Sequence, residues 1–129
     1  MMLLDDHEEA PLSVETLLQA DLTGARLAFL SACATAAPSQ DVRLRDETIH
    51  LTTAFQLAGF RQVVGTLWPI NDMLAAEIAD VFYSHLRSDP RRKPDPDRAA
   101  VTLHQTIQTI HDRYPELPSV WAAYVHAGV

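Results

Sequence analysis

Cysteine is nearly absent: Cys33 is the only one among 129 residues, so no internal disulfide can form and nothing requires an oxidising compartment. Glycine is also scarce, with four residues against a hydrophobic content of 47%, which excludes a disordered or low-complexity chain. Basic residues are in deficit, 10 Lys and Arg against 17 Asp and Glu for a formal charge of −7. That balance argues against nucleic acid as a partner, because neutralising phosphates takes clustered cations. The basic cluster Arg91-Arg92-Lys93 lies among Pro90, Pro94 and Pro96 with Asp89, Asp95 and Asp97 beside it. It reads as a solvated, flexible linker between helices over 88–96, not as a phosphate site. No apolar run approaches the roughly 18 residues of a membrane helix, and Met1-Met2-Leu3-Leu4 meets Asp5-Asp6 too early for a signal peptide. The expectation is a cytoplasmic protein without a membrane partner. No internal repeat is present, and no glycine-rich loop follows a strand, which a flavodoxin-like nucleotide site would want.

What the chain does contain fits one domain with a sizeable core. Leu3-Leu4 reads as the tail of a strand that turns at Asp5 to Glu9. Pro11 and Ser13 open a short helix through about Gln19, with Ser13 as its cap and Glu15 near the positive end. Leu27 to Ser31 is an apolar strand that leads directly to Cys33. After a polar loop, Asp46 caps a helix with Ile49, Leu51, Ala54, Phe55 and Ala58 on its apolar side, and Gly59 can take the left-handed stop. Val63 to Leu67 is short, β-branched and bounded by Pro69, as a buried strand should be. Asn71 caps a helix in which Leu74, Ile78, Val81, Phe82 and His85 recur at spacings of three and four. Beyond the linker, Asp97 caps a helix with Ala100, Leu103, Ile107, Ile110 and Tyr114 as one buried stripe, ended by Pro115. Val120 to Val125 reads as a closing strand.

This alternation predicts an α/β fold, a sheet flanked by helices. Two good strands and one terminal strand are few for helices this apolar, and buried strands want neighbours on both edges. A piece of the sheet is expected to be missing.

Open α/β sheets place chemistry at the carboxyl ends of their strands, and Cys33 falls at such an end. The run Leu27-Ala28-Phe29-Leu30-Ser31-Ala32-Cys33, the segment Ala54-Phe55-Gln56-Leu57-Ala58-Gly59 and the run Val63-Val64-Gly65-Thr66-Leu67-Trp68-Pro69-Ile70-Asn71-Asp72 together resemble the CHAT family. The ending Trp121-Ala122-Ala123-Tyr124-Val125-His126-Ala127-Gly128 resembles its last strand, so nearly the whole chain is covered in order. CHAT domains are caspase-like modules of the separase and caspase clan. The resemblance implies a cysteine peptidase, a hydrolase of peptide or protein substrates without a cofactor. Its nucleophile matches Cys33, and Asp72 is similar to the acidic residue that separase uses for an arginine before the cleaved bond.

The resemblance also implies a histidine in a His-Gly pair upstream, and no such pair occurs in this chain. His7 precedes Glu8 in a turn-like stretch and is a poor match for the base. The chain therefore resembles the C-terminal half of a CHAT domain, expected to be inactive alone: the base is absent, and so is the glycine N–H that would join that of Cys33 in an oxyanion hole. Ala34-Thr35-Ala36 also stands where the family commonly has Glu-Thr-Gly. A non-catalytic interaction module or gene remnant is the alternative, with self-association or pairing with the missing N-terminal half as its partner interaction.

Blander readings stand beside these. Cys33 can be a buried small hydrophobe, and Asp72 can simply favour the dipole of a first helical turn. His104 and His111 are seven apart, about 10 Å along one helix, too far for one ion without other ligands, and no metal site is expected. Trp68 and Trp121 read as core or sheet cover. His126 is expected to point off the last strand.

Overall fold

A computed structural model describes residues 14–19, 22, 24–31, 51–87, 91 and 93–129. Its elements run α1 (Val14–Gln19), β1 (Leu27–Phe29), α2 (described over 51–57), β2 (Gln62–Thr66) and α3 (Asp72–Leu86). A 3-10 turn (Pro96–Arg98), α4 (Ala99–Arg113), α5 (Pro118–Trp121) and β3 (Tyr124–Gly128) follow. The described strands form a mixed sheet in the order β1-β2-β3, with β1 parallel and β3 antiparallel to β2. The fold class is α/β, as expected.

Strand periodicity decides which side chains meet which helices. Ala28 and Val63 point to one face and pack with Leu17, Ala54 and Phe55 from α1 and α2. Val64 points to the other, where Ile78 and Phe82 of α3 meet Leu103 and Ile110 of α4, and Leu27 and Phe29 pack against that cluster. Both faces of β2 are thus covered, and all five of its residues are buried. Phe29 rests on Phe82 with ring centroids 4.8 Å apart.

The helix ends follow local chemistry. Asn71 accepts the Met73 N–H at 2.9 Å, the cap expected for α3. Gly59, at φ 108°, allows the Gly59 N–H to reach the Gln56 carbonyl and the Phe60 N–H to reach that of Phe55, a paired closure that needs a left-handed residue.

Several boundaries depart from the sequence reading. β1 ends at Phe29, although the Leu30 N–H still donates to the Val64 carbonyl at 2.7 Å, and β2 begins at Gln62 and stops at Thr66. Asp97 does not cap α4. Asp95 accepts the Asp97 N–H at 3.2 Å and starts the 3-10 turn, which runs into α4 at Ala99, because Pro96 supplies a preset φ at its first position. Ala100 is exposed, while Ala99, Thr102 and Thr106 are buried beside Leu103 and Ile110. Val120 and Trp121 belong to α5, and the closing strand begins four residues later than expected, at Tyr124. The Leu3-Leu4 strand, the turn after it, Ser13, Asp46, Ile49 and linker residues 88–90 and 92 lie outside the described residues.

Candidate functional site

The parallel register Leu27↔Gln62, Ala28↔Val63, Phe29↔Val64 sets the carboxyl ends of β1 and β2 side by side. On that edge stands Ser31, exposed and two residues before Cys33 in sequence; Cys33 itself, like His7, lies outside the described residues. The neighbouring strand delivers the loop 67–71 and then Asp72, the exposed first residue of α3. β3 enters the same edge from the opposite direction, Tyr124 lying against Thr66. The edge thus gathers Ser31, the head of α3 and the segment 119–124.

Hydrogen bonds hold this edge in shape. The Leu67 N–H donates to the Ala123 carbonyl at 2.8 Å, and the Trp68 indole N–H donates to the Ser119 carbonyl at 2.6 Å. Ile70 is buried in the core beneath the loop. Behind Asp72, Glu77 accepts from Arg113 at 2.7 Å and from the Tyr114 hydroxyl at 2.9 Å, which ties α3 to the end of α4. Those two hydrogen bonds hold the Glu77 carboxyl below its usual range. Burial pushes the Tyr124 phenol up to about 12, so it stays neutral and cannot serve as a base at physiological pH.

The described histidines fall into three settings. His85 closes α3 with Nε2 3.3 Å from the Thr109 hydroxyl. His104 and His111 line an open groove of about 560 Å³ with Trp121, the rings of His111 and Trp121 5.0 Å apart and edge-on. His126 does not simply point off the last strand: it is half-buried and lies 2.6 Å from Gln62 Oε1 near the amino end of β2. No group of three His, Cys, Asp or Glu able to hold a metal ion occurs among the described residues. No described helix is long and apolar enough to cross a membrane. From sequence Trp68 reads as core or sheet cover. Its hydrogen bond to Ser119 is not legible there, because the acceptor is a backbone carbonyl 51 residues away, although a half-buried indole normally seeks such an acceptor.

The fold and this edge define an α/β domain in which two parallel strands open side by side onto one strapped loop. The family model for the CHAT domain matches residues 1–129, and the chain belongs to the CHAT domain family. No curated protein and no solved structure matches it.

Proposed function

We propose that this chain carries the nucleophile-bearing part of a caspase-like cysteine peptidase site. The observation that supports it is the parallel pairing of β1 and β2: the segment leading to Ser31 and the loop leading to Asp72 leave their strands at the same end of the sheet, and Cys33 follows Ser31 by two residues in sequence. In this reading the Cys33 thiolate attacks the carbonyl carbon of a peptide bond to give an acyl-enzyme. An imidazole passes a proton to the departing amine, and water then releases the acid. Asp72, exposed at the head of α3, receives a basic side chain before the cleaved bond through a charge-assisted hydrogen bond.

None of the six histidines is followed by glycine, so in this reading the base and the second oxyanion donor come from another segment or chain. Alone, the chain is inactive. Purified protein should not hydrolyse fluorogenic peptides with arginine or lysine before the reporter. A chain extended upstream by a His-Gly segment should both cleave them and alkylate faster at Cys33, since an adjacent imidazolium raises the thiolate fraction. Cys33→Ala should abolish both effects. Turnover by the 129-residue chain alone, lost in Cys33→Ala, would overturn the dependence on a second segment.

The same absent pair favours a second reading, a non-catalytic interaction module that pairs with another copy or with an N-terminal half. Failure of the extended chain to cleave or to alkylate faster would select it.

A further inference from the structure

The loop between β2 and α3 is strapped to a distant part of the chain. α5 is a four-residue helix, too short to satisfy its own carbonyls. The Ala122 N–H takes the carbonyl of Pro118, and the carbonyl of Ser119 is taken by the Trp68 indole N–H at 2.6 Å. Next to this bond the Leu67 N–H reaches Ala123. On the far side of the loop, Asn71 closes onto Met73. Trp68 is therefore the side chain through which α5 grips the segment that ends in Asp72.

We infer that Trp68 is a positioning residue for basic-side-chain recognition: its bond to Ser119 fixes the loop 67–71 and so the place of the Asp72 carboxylate on the sheet edge. This rests on the reading of Asp72 as the acceptor of a basic side chain. A carboxylate that must meet a planar guanidinium through directed hydrogen bonds tolerates little displacement. A loop free to swing away from α5 would keep the negative charge and lose the alignment.

Cys33 is the only thiol, so labelling of the intact chain reports on one site. Two peptidyl chloromethyl ketones, one ending in arginine and one in citrulline, its neutral near-isostere, each alkylate the thiolate as chloride leaves. The ratio of their rates measures recognition of the charge, and iodoacetamide measures the thiol alone. The arginine reagent should react faster in the wild type, and Asp72→Asn should bring the ratio to about one, as expected once the opposite charge is gone. Trp68→Phe removes the N–H and keeps an aromatic ring. It should lower the ratio about threefold to tenfold, the size of one lost hydrogen bond, with the iodoacetamide rate unchanged.

A wild-type ratio of one, or a ratio that Asp72→Asn does not move, sinks the Asp72 reading and this inference with it. A ratio that responds to Asp72→Asn and not to Trp68→Phe overturns the positioning role alone. Should Trp68→Phe fail to fold by circular dichroism, the exposed Pro118→Gly loosens the same bond from the acceptor side. It should lower the ratio in the same direction, and an unchanged ratio there overturns the inference.

Discussion

Gln62 is 2% exposed, and its amide is used at both ends. Nε2 donates to the Val129 carbonyl at 2.7 Å, which leaves Oε1 as an acceptor 2.6 Å from His126 Nε2. His126 must therefore carry its hydrogen on Nε2 when neutral. The two bonds clamp the end of β3 against the start of β2, and they leave no room at Gly128, where a Cβ would lie 2.5 Å from Gln62 Oε1 and 2.7 Å from the Arg61 carbonyl. From sequence the strand begins at Val63, since a glutamine after an arginine resembles a solvated strand end, and only the partner strand shows that it is covered. Burial lowers the His126 pKa below its usual 6.5. The unfolded chain then binds more protons than the folded one between the folded value and 6.5, so the His126 contribution to stability falls as pH drops through that window and is level above it. His126→Gln, which keeps an N–H donor and cannot titrate, should lose less stability on acidification than the wild type. Urea denaturation at pH 7.5 and 5.5 measures the difference, and equal losses in both proteins would exclude this role.

At the scale of elements, α3 and α4 show where sequence patterning succeeds and where it misleads. In α3 the apolar residues alone mark the buried face, with Ile78 and Phe82 fully covered and Asn71 capping it as read. Asn71→Ala should cost about 1 kcal/mol, the usual worth of such a cap, seen as a lower denaturation midpoint with an unchanged urea slope; no loss would mean that the packing of Ile70 sets the helix start. In α4 two threonines sit on the buried face. Thr106 is acceptable there because its hydroxyl donates to the Thr102 carbonyl at 2.8 Å, a local partner that hydropathy does not register. Ala100, one step round the helix, is exposed in their place. The displaced last strand has a similar cause. Val120 and Trp121 suit a strand by composition, yet the Val120 N–H closes on Leu117 and the Ala122 N–H on Pro118, each at 2.9 Å. Pro118 presets this turn, and extended pairing resumes only at Tyr124.

At the scale of the whole molecule, the layering was legible because it follows from side-chain alternation, with Val63 turned toward α1 and α2 and Val64 toward α3 and α4. The strapped loop was not, since backbone acceptors carry no signature in a sequence. Among the described residues β1 and β3 each pair along one side only, both with β2. β1 brings Leu27, Ala28 and Phe29 to its edge, without the lysine, proline or bulge that commonly blunts an edge strand. Its aromatic surroundings add to this, because Phe29 lies 5.7 Å from the ring of Tyr83, which is 37% exposed. An unblunted apolar edge favours pairing with another strand, and the molar mass from light scattering should rise with protein concentration. A second strand supplied in trans on a His-Gly-bearing segment should compete with this association and lower the mass. A constant monomer mass across dilution would show that the β1 edge is already satisfied within one chain, and partner pairing would then have to be sought elsewhere on the surface.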